Sequence, residues 1–291
     1  VTLRIATRAS RLARWQAERI GALLGGDVEY VLVTTTGDRD QTSELHVIGG
    51  QGVFTKEVQT AVLEGRADIA VHSAKDLPPQ TPGDLVLAAI PERADPRDAL
   101  VGATLASLPQ GAVVGTDSVR RRAQLAAARP DLQFGPLRGN IETRLRKREE
   151  MGYDAVVVAY AALERLQLAA AATELLEPNV VMPQVGQGAL AAECRAEDSD
   201  TRGRLRAIDD PDAHLAVKAE RAFLAHLGGG CDLPCGALAR SRSDGIEIEA
   251  VLASLDGKMV VRRRAHGHDP EGLGSTIADE MLRAMAGEAA S

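Results

Sequence analysis

Two short stretches of this chain carry residue types suited to acid–base and covalent chemistry. "HSAKDLPP" sets Lys75 and Asp76 directly behind an apolar, strand-like run. A carboxylate there can stabilise a developing cation or exchange a proton with a substrate nitrogen. A turn-capping aspartate beside an exposed lysine would leave the same trace. "HLGGGCDLPCG" sets Cys231 behind Gly228, Gly229 and Gly230, which free the backbone and let a bulky group approach. A thiolate at such a place is a strong nucleophile toward carbon. Cys194 and Cys235 read instead as buried small hydrophobes. The C-x-x-x-C spacing, with His214 and His226 out of pattern, makes no zinc motif, and no metal is expected.

A third feature is repeated. Arginines stand where a strand ends and a helix begins in "ATRAS" (Arg8, with Ser10 as cap), "GTDSVRRR" (Arg120, Arg121 and Arg122 after Ser118) and "PLRGN" (Arg138, with Asn140 as cap). A cation at a helix N-terminus opposes the macrodipole, so something should compensate. A bound anion would collect the free backbone N–H groups and the guanidinium forks together. Solvation, or pairing with nearby Asp and Glu, is the plainer reading of any one of them. Arg144, and Arg165 after "VVVAY", extend the same basic surface. Between Arg120 and Arg148 nine Lys/Arg face two Asp/Glu, although the whole chain has a formal net charge of −7.

The elements that must position these residues alternate. "LRIAT" leads into a helix from Ser10 with Ala13, Ala17, Ile20 and Leu24 on one face, and "VEYVLVTTTG" is the next strand. Residues 37–51 are polar and glycine-rich and read as a lid. A helix with Phe54, Val58, Ala61 and Val62 on one face, then the strand "ADIAVHSA", follow. "ERADPRDALVG" reads as a crossing, after which the pattern restarts through "GAVVG", "LQFGPL" and "YDAVVVAY". "LEPNVVMPQVGQGALAAECR" reads as a second crossing. Two α/β units with largely parallel sheets around a hinged cleft result. The C-terminal part differs: "GIEIEAVLASLDGKMVVRRRAHG" is an antiparallel hairpin about Asp-Gly, and an amphipathic helix ends a small α+β domain.

Composition bounds the class. At 291 residues the chain exceeds what one core usually serves. No apolar run approaches the roughly 20 residues that span a bilayer. The N-terminus lacks a secretory pattern, and three cysteines without framework spacing suit a reducing, cytoplasmic setting. Aromatics are 2% of the chain, too few for the stacking platforms of a nucleic-acid groove, so a small polyanion is the expected partner.

"LRIATRASRLARWQ", "GGQGVFTKE", "DIAVHSAKDLP", "VGTDSVRRRAQL", "LRGNIETRL", "VVVAYAALERL", "VGQGALAAECR" and "ERAFLAHLGGGCDLPCG", in this order, resemble the hydroxymethylbilane synthase (porphobilinogen deaminase) family over nearly the whole chain. The composition suits a cytoplasmic chain, no heptad or exposed apolar stripe argues against a monomer, and the resemblance implies a transferase of porphyrin and heme biosynthesis. It condenses four porphobilinogen molecules head to tail into the linear tetrapyrrole hydroxymethylbilane, releasing ammonia each time, with no nucleic-acid or membrane partner. It implies a dipyrromethane cofactor held by a thioether to Cys231. Asp76, with Lys75 beside it, is then the catalytic acid, assisting loss of ammonia and stabilising the azafulvene cation. Lys75, Ser118, Arg120, Arg121, Arg138 and Arg144 fall at cofactor positions. Arg8, Ser10, Phe54, Arg138, Arg144 and Arg165 fall at substrate positions. The implied fold is two periplasmic-binding-protein-like α/β domains around a cleft (residues 1–91 with 186–206, and 95–183), plus a small α+β C-terminal domain (211–291) carrying the cysteine loop.

One departure stands out: many members have lysine where this chain has Gln51, so anion contacts from the lid are expected to be weaker here, without loss of activity. The competing reading is a non-enzymatic small-anion-binding cleft protein, which uses the arginines but gives no role to Asp76 or Cys231.

Overall fold

Short β-branched runs bounded by glycine, proline and polar turns set the strands, and apolar residues at helical spacing set the helices packed on them. The computed structural model describes residues 2–39, 52–229 and 233–289. The first half runs β1 (Leu3–Arg8), α1 (Arg11–Leu24), β2 (Val28–Val33), α2 (Thr36–Arg39), α3 (Lys56–Leu63), β3 (Ile69–Ser73) and β4 (Leu85–Ala89). Then come β5 (Asp98–Val101), β6 (Val113–Gly115), α4 (Val119–Ala128), β7 (Gln133–Gly135), α5 (Ile141–Glu150), β8 (Ala155–Ala159), α6 (Tyr160–Arg165) and β9 (Glu174–Leu176). The chain continues through β10 (Leu190–Arg195), α7 (Ser199–Arg206), α8 (Pro211–His226), β11 (Cys235–Arg242), β12 (Gly245–Ala253), β13 (Val260–Gly267) and α9 (Pro270–Ala289).

The strands make two five-stranded sheets of one plan. Their orders are β2-β1-β3-β10-β4 and β7-β6-β8-β5-β9. In the first sheet β1 pairs parallel with β2 and β3, while β10 runs antiparallel to both its neighbours. The second sheet repeats this with β5 as the antiparallel strand between β8 and β9. Each inserted strand arrives from a crossing, β5 after the first and β10 after the second. The sequence alternation thus yields mixed sheets, because each crossing donates its own end to a sheet.

The two crossings meet. Arg93 bridges antiparallel to Ala189, and Ala94 N donates to Gly188 O at 3.0 Å. Gly188 has φ +87°, and a Cβ there would lie 2.4 Å from Ala94 O, so glycine is required for the two backbones to touch.

Apolar faces close the cores. Ile5, Ile20, Ile69 and Leu190 share one cluster of the first sheet. Val156, Val158 and Leu163 share one face of the second, with Leu100, Val114 and Val157 on the other. In the C-terminal unit, α8 and α9 cover one face of the antiparallel sheet β11-β12-β13 through Phe223, Ile277 and Met281. Its other face meets Met182 of the second crossing through Leu238 and Val251. The Asp-Gly hairpin is present as β12 and β13, and β11 is an additional strand that starts at Cys235. No helix among the described residues is long and apolar enough to cross a membrane.

Candidate active site

The strand β3 ends in a single 3-10 turn, Ala74–Asp76, that leaves Lys75 and Asp76 half-buried. Lys75 Nζ reaches Gln187 Oε1 at 3.5 Å, and its carbonyl accepts from Gln184 Nε2 at 3.3 Å. Both glutamines belong to the second crossing, so the turn is held by the hinge. Burial pushes the Lys75 ammonium down to about 8; Asp76 and Asp98 pull it up, and Arg121 and Arg144 push it further down. Residues distant in sequence therefore share one electrostatic neighbourhood.

In the second half the N-termini of α4 and α5 and the start of β5 carry the charged groups, Arg121, Arg144 and Asp98, that act on Lys75. Ser118 caps α4, accepting from Arg121 N, and Asn140 caps α5, accepting from Thr143 N, as the sequence predicts. Arg120 and Arg121, on the first turn of α4, are only 3% and 5% exposed. Both bind Asp98, a fully buried acid at the start of β5. Arg120 Nη1 lies 2.7 Å from Asp98 Oδ2, and Arg121 Nη2 lies 2.7 Å from Asp98 Oδ1. Asp98 also accepts from Gln187 Nε2 at 2.9 Å. Burial alone would raise the Asp98 carboxyl, but the two guanidinium groups outweigh it and hold it far below the usual carboxylate range.

The two arginines nevertheless differ. Arg121 also gives Nη1 to Val157 O at 3.0 Å, which engages its fork inside the protein. Its donors meet one shared acid and one carbonyl within the protein. Arg120 gives Nη1 a second acceptor, Met182 O at 2.6 Å, but its Nε and Nη2 are buried without partners. Next to it, a Cβ on Gly236 would come within 3.1 Å of the Arg120 Cδ, so the start of β11 packs on this guanidinium stem.

Arg138 and Arg144 have no carboxylate bound among the described residues. Arg138 Nη1 is buried without a partner, and Arg144 Nε donates to Gly139 O at 2.8 Å. Burial pushes Arg144 down to about 10, with Arg121 and Arg138 lowering it and Asp117 and Asp76 raising it. It remains a cation at neutral pH.

The first half contributes Arg8, Ser10 and Phe54. Ser10 caps α1, accepting from Ala13 N at 3.3 Å. Arg8 forms an ion pair with Asp38 of α2, whose carboxylate also accepts from Thr35. The Arg8 guanidinium lies 4.2 Å from the Phe54 ring centroid. A Cβ on Gly37 would lie 2.1 Å from the same ring, so glycine is needed for α2 to stack there. Phe54 stands before α3 rather than within it. Arg8 is therefore engaged by a neighbouring acid, the plainer of the two readings its sequence position allowed. Arg165 closes α6, 7% exposed, with Nη2 donating to Gly188 O at 2.7 Å and Nε buried without a partner. Burial pushes it down to about 10.

Cys231, Gly230 and the lid residues 40–51 with Gln51 lie outside the described residues. Cys194 and Cys235 are both buried, and burial pushes the Cys194 thiol up to about 11, which makes it a poor nucleophile. Asp98, Gln187 and Asp38 are the residues sequence reading missed. An acid opening the apolar run "DALV" was the one available signal, since a buried carboxylate requires a partner.

The donor set fits a compound with several carboxylates. Arg120, Arg138 and Arg165 each bury guanidinium N–H groups that have no acceptor among the described residues. Such groups cost free energy unless an acceptor arrives. Dipyrromethane, with two carboxylates on each pyrrole, would supply acceptors of the right charge, so the residues fit it.

The chain matches the family model "Porphobilinogen deaminase, dipyromethane cofactor binding domain" over residues 3–203 and "Porphobilinogen deaminase, C-terminal domain" over residues 214–283. It is 50% identical to a porphobilinogen deaminase of Roseiflexus castenholzii over 97% of this chain and 96% of that one. It is 47% identical to that of Acidothermus cellulolyticus, covering 98% and 89%, and 43% identical to that of Brevibacillus brevis, covering 98% and 95%. A TRAP periplasmic solute-binding protein from Desulfovibrio salexigens is similar at a TM-score of 0.43 and 12% identity over 72% of each chain. With both family models matched in sequence order, the transferase reading stands over the anion-binding one, and the chain belongs to the porphobilinogen deaminase (hydroxymethylbilane synthase) family, with its dipyrromethane cofactor.

Proposed function

We propose that the work of this transferase is divided between the two walls of the cleft, with acid–base chemistry on the Lys75–Asp76 turn and carboxylate binding on the arginines opposite. The observation that carries this is the set of buried guanidinium N–H groups without acceptors on Arg120, Arg138 and Arg165. Asp76 pairs with the substrate ammonium, stabilises the positive charge that develops as the aminomethyl C–N bond breaks and ammonia leaves, and accepts the proton that the new carbon–carbon bond displaces from the attacking pyrrole carbon. Lys75, kept partly desolvated by the hinge, binds a carboxylate when protonated. Ser118 fixes the first turn of α4 so that Arg120 and Arg121 keep their places about Asp98.

Cys231 would hold dipyrromethane by a thioether, with Arg120, Arg138 and Arg144 on its carboxylates and Arg121 adding positive charge from beneath. The bound group supplies a pyrrole carbon nucleophile from which the product chain is built. Arg8, Ser10, Phe54 and Arg165, with Arg138 and Arg144, receive the substrate. For Arg8 this requires the incoming carboxylate to share the guanidinium with Asp38. Three folding units, 1–91 with 186–206, 95–183 and 211–291, separate these tasks, and the chain works as a cytoplasmic monomer.

The test is Asp76→Ala in cofactor-loaded enzyme. We expect kcat to fall by roughly 10²-fold or more, the usual range for a lost general acid–base group, with the melting temperature held. Unchanged kcat would move the proton-carrying role to another residue.

A further inference from the structure

We propose that a cavity between α1 and the end of α6 is a second, non-reacting site for an aminomethyl pyrrole dicarboxylate, the substrate class itself, held beside the cleft before it enters. The proposal rests on the function proposed above and extends it.

The cavity measures about 380 Å³, and Ala9, Arg11, Arg14, Trp15, Glu18 and Arg165 are in its walls. Positions 11, 14, 15 and 18 share one face of α1 by helical spacing. Arg11 bridges to the other half of the molecule, with Nη1 3.3 Å from Glu142 Oε1 and Nη2 3.5 Å from Leu166 O. Arg14 and Glu18 are exposed, and neither forms an ion pair among the described residues. Trp15 is half-buried, with the Arg165 guanidinium 5.4 Å from its ring centroid. Arg165 is 7% exposed and has a buried Nε without a partner.

These groups match one ligand chemistry better than others. Arg11 and Arg14 suit two carboxylates, and Arg165 stands in the wall shared with the cleft. An indole offers a flat face to a pyrrole. Glu18 offers an anion to an ammonium group. Inorganic phosphate would use the arginines alone, leave the indole idle and be repelled by Glu18. Ala9 lies between Arg8 and Ser10, so the cavity adjoins the cleft across one residue, while Asp76 is absent from its walls. An enzyme that uses four substrate molecules in succession gains from a loaded site next to the reacting one.

Trp15 is the chain's only tryptophan, so its fluorescence reports on this cavity. The probe is the porphobilinogen pyrrole with hydrogen in place of its aminomethyl group, titrated into cofactor-loaded enzyme. In Arg14→Ala the probe should bind about tenfold more weakly, the size expected for one lost charge-assisted hydrogen bond. The Michaelis constant for porphobilinogen should rise similarly, with kcat unchanged. Glu18→Gln should raise the Michaelis constant for porphobilinogen but leave the probe titration as in wild type, because the probe has no ammonium. Wild-type values for Arg14→Ala in both titration and Michaelis constant, alongside an active wild-type enzyme, would overturn this site and leave the transferase mechanism standing. A wild-type enzyme with no turnover would overturn that mechanism, and this site with it.

Discussion

The two five-stranded sheets share a strand order, yet they handle charge in opposite ways. In the first half, basic groups meet acids at partly exposed places: Arg4 and Arg195 both reach Asp68, at 2.7 and 3.4 Å, Arg195 also meets Asp198 at 3.0 Å, and Arg8 meets Asp38. In the second half two buried arginines share a single acid, Asp98, and Arg138 and Arg144 have none bound among the described residues. Duplicated architecture therefore does not carry duplicated chemistry. In the function proposed above, the first half presents the acid Asp76, while the buried arginines of the second half receive carboxylates.

Substitutions can break or sharpen this contrast. The largest effect is expected at the shared acid. Asp98→Asn leaves two buried guanidinium groups with a neutral partner, and a loss of about 3–5 kcal/mol is expected on removing one member of a buried ion network. Asp68→Asn, in a pair with Arg4 that is 38% exposed at the side chain, should cost about 1 kcal/mol. Urea unfolding of both variants compares them, and equal losses would erase the distinction between the halves. Arg144→Leu should behave in the opposite sense to Asp98→Asn. Removing a desolvated cation that lacks a carboxylate should leave stability equal or higher. The Michaelis constant for porphobilinogen should rise about tenfold, the worth of one charge-assisted hydrogen bond. A variant that unfolds without losing substrate affinity would assign Arg144 to the fold instead.

The smallest effect concerns pH. The Lys75 ammonium is held down to about 8 in the folded protein, against 10.5 ordinarily. Between these values the unfolded chain binds the extra proton, so Lys75 makes stability rise with pH from about 8 to 10.5. Its charge is present below about 8 and lost above it, so cofactor loading of the empty protein should slow as pH passes 8. Lys75→Arg should remove that limb while the stability trend also flattens. A pH profile unchanged by Lys75→Arg would show that another group titrates.

Local features of the fold are legible in the sequence. The three helix caps Ser10, Ser118 and Asn140 each accept the backbone N–H that their position predicts, because capping is local. The strand ending at Lys75 and Asp76 was legible for the same reason, and so was the Asp-Gly hairpin. Partners distant in sequence were not. Asp98 lies 22 residues before Arg120 and 89 before Gln187, so the network joining them exists only after the crossings fold against each other. Asp38 likewise fell inside a stretch read as lid, although Thr36–Arg39 forms a helical turn that brings it to Arg8. The antiparallel strands β5 and β10 were hidden too, since period and composition do not report strand direction. Family resemblance named Arg120 and Arg121 together, and only their hydrogen bonds separate one with open donors from one already engaged.

We propose that the buried arginines hold a pyrrole chain anchored at Cys231. Intact mass of the purified protein, beside a Cys231→Ser variant, tests it most directly. The account predicts a wild-type mass above that of the sequence by two pyrrole units, and a Cys231→Ser mass equal to its own sequence. A wild-type protein that stays at sequence mass after incubation with porphobilinogen, or a Cys231→Ser variant that gains the two units, would contradict it.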